Sequence, residues 1–467
     1  MRNALPTLLL LASALTAQGQ HTLSLQECRS RALEHSQGMK IASLQEEKAR
    51  AEREAAKTHY LPSLSASATG IYLRDHIEME MYLPTAVVDP ETGRMIPNLM
   101  THPVTGGILT GPDGNPLFNL YAWLPLEVSL QGAYMAGVSL EQPLYAGGRI
   151  AAGNAMARIG MDMAAENKSL RRSETIYETD QAYWRYVNVQ EQLLLAETYE
   201  RLLQELEEQV RQAHETGYVH RTEWLRVKVR LNEAGLQRQQ ALNGRELARM
   251  DLCRLIGLPA GTPLETSDST LRQAGTLLPL QVSPDLSNRP EYRLLGKQVE
   301  LAGEQRRLVR AAFLPTAGLR LGYHYVGGID LGPTAYDEGN ASLIASVSIP
   351  LFHWGEGRKK QHAARQDMEI RQAELERHAG LMALEMARAG HLLLEARKRV
   401  QLAEESMELA GENLRMHRDR YELDMDLLSD LLEAQVHWQQ ARSALIGAMA
   451  GLRMQETAYR KAHGILE

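Results

Sequence analysis

The chain is short of nearly everything that marks a catalyst, a nucleic-acid binder or a bundle of membrane helices. Its 467 residues include only two cysteines, which excludes a disulfide-dense scaffold and any metal site built from four thiolates. No apolar run reaches the roughly 18 residues that a membrane-spanning helix needs, and mean hydropathy is −0.33. A net charge of −7 offers none of the basic excess that binds nucleic acid. Aromatic residues make up 5% of the chain, with three Phe, so the core must come from Leu, Ala, Val and Met. The 15 His show neither HExxH nor paired-ligand spacing, and there is no Walker A loop, no GxSxG elbow and no GxGxxG after a strand. Neither a metal, a cofactor nor an enzymatic function is expected. Proline is the most informative absence. All 18 prolines lie outside two runs of 115 and 117 residues, Leu144 to Leu258 and Leu351 to Glu467, and such runs predict long uninterrupted helices.

What is present begins with a short basic start, Met1-Arg2-Asn3, and an apolar stretch from Leu5 to Leu15 that is too short to span a bilayer. Small-x-small sites follow at Ala12-Ser13-Ala14 and Ala17-Gln18-Gly19. Residues 1–19 therefore read as a secretory signal peptide, which places the mature chain outside the cytoplasm. Cys28 and Cys253 sit in helical patterns, where a buried free thiol is the commoner state, although a pair between them is left open.

The mature chain reads as written twice, with a first repeat over 20–280 (linker 259–280) and a second over 281–467. Tyr60-Leu61-Pro62 has a counterpart in Phe313-Leu314-Pro315, and Gln142-Pro143-Leu144-Tyr145-Ala146-Gly147-Gly148-Arg149 in Ile349-Pro350-Leu351-Phe352-His353-Trp354-Gly355. His214-Glu215-Thr216-Gly217 matches Tyr421-Glu422-Leu423-Asp424, and both Pro143 to Gly217 and Pro350 to Asp424 span 74 residues. An equal spacing over that distance points to two copies of one rigid element. Each copy reads helix, strand, loop, strand, long helix, break, long helix, and Ser24-Leu25-Gln26-Glu27 forms a capping box at the start.

The strands alternate with period two. Leu319, Leu321, Tyr323 and Tyr325 share one face and Arg320 and His324 the other, while Ala136, Val138 and Leu140 oppose Gly137, Ser139 and Glu141. Four strands of about 10 to 13 residues are expected per chain, the length of an outer-membrane strand. A Pro/Gly-rich loop over 75–124 separates the first pair, and a short one, Gly327 to Asn340, the second.

Two helical hairpins are expected over 149–258 and 356–463. Leu393, Ala396, Val400, Ala403, Met407, Ala410, Leu414, His417 and Tyr421 keep a 3-4 spacing, as do Leu427, Leu431, Ala434, Trp438, Ala441, Leu445, Ala448 and Leu452. That is the pattern of supercoiled helices. Arg149 to Ala213 as one helix would reach about 97 Å. Four strands cannot close a barrel, so either the sheet belongs to a soluble sandwich or several chains contribute to one barrel.

These features together resemble the TolC family of outer-membrane efflux proteins, over essentially the whole mature chain. The carriers are the duplicated halves, Leu23-Ser24-Leu25 through Ala32-Leu33, the Gln142 to Arg149 stretch, Asn288-Arg289-Pro290-Glu291, and Tyr421 through Gln435. The resemblance implies a mixed, mainly α fold. In it a homotrimer builds a 12-stranded β-barrel in the outer-membrane lipid and a helical barrel in the periplasm of a Gram-negative bacterium. It also implies a periplasmic adaptor, an inner-membrane pump of the resistance-nodulation-division or ABC class, and a conduit that performs no chemistry. The long 75–124 loop would then face outside the cell. Export of small molecules is the leading reading. A type I protein secretion duct and a soluble periplasmic coiled-coil scaffold are the alternatives.

By the same resemblance, Asp430 and Glu433, with Glu223 and Tyr421, would narrow the pore near the helical turns. Acids in the first turn of a helix also simply complement its dipole. Gly217, Tyr218, Val219, His220, Arg221 and Thr222, with Asp424, Met425, Asp426, Leu427, Leu428 and Ser429, would meet the adaptor. Arg320, His324 and Glu141 would line the barrel lumen. The family often has Gly at position 424 and a basic gating partner near 426. Here both are Asp, which leaves the family's latch of charge pairs without its basic member at this place.

Overall fold

The computed structural model describes residues 21–83, 86–119, 124–267, 285–331 and 334–466. The expected signal peptide and most of the linker over 259–280 lie outside the described residues. Elements follow in the order β1 (His21–Leu23), α1 (Leu25–His35), α2 (Gln37–Thr58), β2 (Ser63–Leu83), β3 (Ala86–Val88), β4 (Met95–Pro97), β5 (Leu124–Ala146), α3 (Arg149–Glu215) and α4 (Arg221–Leu255). The chain continues with β6 (Leu264–Thr266), α5 (Pro290–Ala311), β7 (Thr316–Leu331), β8 (Thr334–Ser348), α6 (Glu356–Glu422) and α7 (Leu428–Ala462). The proline-free runs are occupied by α3 and α6 with 67 residues each and by α4 and α7 with 35 each. Counterparts in the two halves begin 207 residues apart, as Arg149 and Glu356 or Arg221 and Leu428 do. Two compact units result, and each draws on both sequence repeats.

One unit takes Met1–Arg53, Ala155–Arg306 and His362–Glu467. The predicted capping box forms at α1: Glu27 N–H donates to Ser24 Oγ and Ser24 N–H to Glu27 Oε2 at 2.8 Å. That backbone hydrogen bond, more than any other cause, holds the Glu27 carboxyl below its usual range. Leu23 and the α1 residues Cys28 and Ala32 pack into a core with Tyr183, Tyr186 and Val187 of α3, Leu252 and Cys253 of α4, and Ile446 and Ala450 of α7. β1 pairs in parallel with β6, and the buried Tyr186 hydroxyl donates to Leu264 O at 2.6 Å. Both cysteines are buried and free. A second core, at the far ends of the hairpins, joins Leu203, Leu206 and Val210 of α3, Val227 of α4, and Leu428, Leu431 and Leu432 of α7. The α7 seam begins at Leu428, one residue after the sequence reading. Leu427 is the N-cap residue and stays exposed, because the helix has not yet turned its side chain inward.

The other unit takes Glu54–Asn154 and Arg307–Gln361, and its centre is an antiparallel sheet in the order β2-β5-β7-β8. The strands have 21, 23, 16 and 15 residues, well beyond the expected 10 to 13. The register between β2 and β5 slips between Tyr72 and Ile77. That slip breaks the alternation at Arg74-Asp75-His76 and hides the continuation through Ile77, Met79 and Met81. The loop expected over 75–124 is therefore strand at its start, and β5 begins at its last residue. The intervening segment carries the β3–β4 hairpin and the bridges Leu99–Phe118, Thr101–Ile108 and Thr110–Pro116. In the second half, the expected loop from Gly327 to Asn340 is mostly strand as well, since β7 runs to Leu331 and β8 starts at Thr334.

Candidate functional site

The two helical turns close by the same device. After α3, Gly217 takes φ +80°, its N–H donates to His214 O at 2.9 Å, and Tyr218 N–H donates to Ala213 O at 2.8 Å. After α6, Asp424 takes φ +56°, its N–H donates to Tyr421 O at 3.1 Å, and Met425 N–H donates to Arg420 O at 2.9 Å. Both are Schellman caps, which need one residue in the left-handed region. The turns leave Tyr218, Leu423, Met425 and Leu427 exposed, so the tips present apolar side chains to solvent.

The second turn is tied by charge. The Asp426 side chain is 7% exposed; His417 Nδ1 lies 2.8 Å from one of its oxygens and Arg420 Nη2 3.1 Å from the other. A charge cluster thus closes this turn within one chain, with the acid in the loop and the bases on α6. The seam spacing that includes His417 does not announce this contact, because its partner lies nine residues away across a reversal. In the first turn His214 Nδ1 lies 3.1 Å from Val219 O, and its ring stacks on Trp224, whose Nε1–H donates to Glu207 at 2.6 Å.

The acids expected at a constriction occupy different settings. Glu433 is exposed and lines a groove of about 950 Å³ between α4 and α7, together with Thr222, Arg226, Arg230 and Glu233. Asp430, half-buried, accepts from Ser429 Oγ at 3.2 Å. Tyr421 packs half-buried against the core at this end of the helices. Burial pushes its hydroxyl pKa up, and the Glu223 and Asp424 carboxylates add to the rise.

The sheet has two chemically distinct faces. Registration puts Leu64, Ala66, Val138, Leu140, Leu319, Leu321, Tyr323, Leu343 and Val347 on one side, and Ser63, Ser65, Ser139, Glu141, Arg320, His324, Ser342 and Ser346 on the other, where Ile71, Met135, Val326 and Ile344 also stand. Arg320 and Glu141 are cross-strand partners and form an ion pair at 2.5 Å. The His324 ring lies over Gly137 and Gly322, where any Cβ would strike it. β2 and β8 are the two edges of this sheet. At the strand ends Leu144, Tyr145, Leu351, Phe352 and Trp354 are all exposed.

Known proteins share this fold. The solved CusC structure covers 95% of the chain and 93% of its own, with a TM-score of 0.73 at 16% identity. The open-state MtrE outer membrane channel of Neisseria gonorrhoeae covers 94% and 88%, with a TM-score of 0.70 at 20% identity. By sequence, the alkaline protease secretion protein AprF of Pseudomonas aeruginosa is 27% identical over 237 residues, 48% of the chain and 47% of AprF. The chain thus spans about half the length of the curated relatives it matches. The model of the outer membrane efflux protein family matches residues 112–258 and 283–464, taking in both helical hairpins and three of the four long strands. By that match, and by a fold common to solved channels, the chain belongs to the outer membrane efflux protein family.

Proposed function

We propose that the chain is the outer-membrane duct of a tripartite export system, moving small molecules out of the cell as a homotrimer. The observation that carries this reading is the sheet: four long strands with one apolar face, one polar face and two open edges. An open edge is costly in lipid, because each unpaired backbone group there goes unsatisfied. Three copies remove all edges by forming one 12-stranded barrel. Its apolar face meets hydrocarbon, and Arg320, His324 and Glu141 line the lumen. Exposed Phe352, Trp354 and Tyr145 fit the aromatic girdle at a membrane interface.

The helical hairpins then form the periplasmic tunnel. The tips from Gly217 to Thr222 and from Asp424 to Ser429 meet a periplasmic adaptor, which connects to an inner-membrane pump of the resistance-nodulation-division or ABC class. The apolar side chains at the tips, Tyr218, Leu423, Met425 and Leu427, suit such docking. Threefold symmetry turns Asp430, Glu433, Glu223 and Tyr421 into rings, and rings of acids favour cations. Channel recordings in planar bilayers test this part. Asp430→Ala/Glu433→Ala raises conductance and lowers cation preference; unchanged recordings refute the constriction.

A type I protein secretion duct is the second reading, favoured by the likeness to a protein named for alkaline protease secretion. Deleting the gene separates the two: drug sensitivity follows from the first, loss of a secreted protein from the second.

A further inference from the structure

Near the second turn, α3, α6 and α7 of one chain line a half-open cavity of about 240 Å³. Leu202, Leu206, Leu414 and Leu431 supply apolar wall. Two residues there are unexpected in a helical seam. Gly411 also lines the cavity and stands inside the 67-residue α6, where glycine is the least favourable residue after proline. A Cβ added to it would meet no atom within 4 Å, so its missing side chain is part of the empty space. Gln435 of α7 lines the same cavity and is 5% exposed, yet its Oε1 has no hydrogen-bond partner among the described residues. A buried acceptor left without a donor is a standing cost that packed interiors avoid. The equivalent positions in the first repeat, 207 residues earlier, hold Gln204 and exposed Lys228. The pairing of a missing side chain with a buried amide therefore belongs to the second hairpin.

We propose that this cavity binds a small neutral amphiphile, a body of one or two rings carrying an N–H or O–H that donates to Gln435 Oε1. Size sets the first limit, since drug-sized pockets run from roughly 300 to 1,000 Å³. Charge sets the second. The lining holds two bases, Arg415 and Arg418, and two acids, Glu205 and Glu422. Arg418 donates to Glu422 at 3.2 Å, Arg415 lies 3.8 Å from Glu412, and Glu205 is exposed to solvent, so no buried charge calls for an ionic ligand. The leucine wall supplies affinity and the amide supplies orientation. A bound molecule would tie the end of α6 to α3 and α7 beside Tyr421, which lines the same cavity. The site is built by one chain and stands whether or not the chain forms a duct.

The test uses the full-length protein in detergent, titrated with indole and with benzofuran, which has a similar shape but no N–H. Indole binds about tenfold more tightly, the worth of one hydrogen bond to a buried acceptor. Gln435→Met removes that preference. Gly411→Leu fills the cavity and abolishes binding of both probes, with an unchanged or higher Tm showing that the fold is intact. Equal affinities for the two probes, no binding of either, or unaltered binding by Gly411→Leu overturns the proposal. So does a crystal structure in which a water held by Gln435 Oε1 persists in the presence of indole.

Discussion

Asp424, at φ +56°, occupies in the second helical turn the place that Gly217, at φ +80°, occupies in the first. The same substitution of a side chain for glycine recurs at the strand-to-helix junctions, where Trp354 at φ +49° stands for Gly147 at φ +62°. Among the described residues these are the two non-glycine positions with positive φ. The two copies share these left-handed turns whether or not glycine stands there.

Asp424 carries a strain that glycine would not, of order 1 kcal/mol, since Asp tolerates this region better than most residues. Asp424→Gly is therefore neutral to slightly stabilising, and Asp424→Val destabilises by about 1–2 kcal/mol. Thermal unfolding of the two variants side by side measures both effects.

Trp354 is 90% exposed and stacks edge-on against Phe352 at 4.9 Å. A strained tryptophan in solvent has no physical basis, whereas one at a membrane interface does. In vesicles of brominated lipid, the fluorescence lost on Trp354→Phe is strongly quenched in the wild-type protein. Fluorescence from Trp354 that ignores brominated lipid contradicts the placement of this junction at the bilayer surface.

Arg29 reaches Asp180 with two hydrogen bonds, 2.7 and 2.6 Å, and Thr457 Oγ1 donates to the same carboxylate at 2.9 Å. The three residues lock α1 onto α3 and α7. Asp180 is fully buried, so removing its partner leaves an uncompensated charge, a loss of roughly 3–5 kcal/mol. Arg29→Met produces a loss of that size. Arg29→Met/Asp180→Leu loses less than the sum of the single changes, which a double-mutant cycle by denaturant unfolding reads directly.

Burial pushes the Cys28 thiol from 9.0 up to about 12 and the Tyr186 hydroxyl from 10.0 up to about 12. Both groups stay neutral in the folded chain while the unfolded chain releases its protons. Stability is therefore full below pH 9 and falls as pH rises from about 9 to 12. Cys28→Ser/Tyr186→Phe flattens that alkaline slope. A thiol reagent at pH 8 labels neither Cys28 nor Cys253 until the protein unfolds.

Much of this fold was legible because long helices write themselves plainly. Proline gaps bounded all four long helices, and the equal spacing of the repeats survives as the common length of α3 and α6. The strands run longer than their alternation suggests because register slips interrupt it, near Tyr72 and Ile77 in β2 and near Val326 and Ile329 in β7. The faces themselves were right where they were read: Arg320 lies across from Glu141, with Leu321 on the opposite side beside Leu140. What escaped were contacts across a chain reversal. Nothing in the local pattern around His417 announces Asp426, and a buried Gln435 beside Gly411 shows only when three helices are assembled.

The shared barrel is tested most directly by joining its edges. Single cysteines placed at residues 66–68 of β2 and 341–345 of β8, combined pairwise in one chain and oxidised in intact cells, sample the registers available between neighbouring copies. If three chains close one barrel, at least one pairing yields a covalent species of trimer mass, formed only when both edges carry cysteine. If every pairing leaves monomers, the edges of β2 and β8 do not meet, and the proposed duct is wrong.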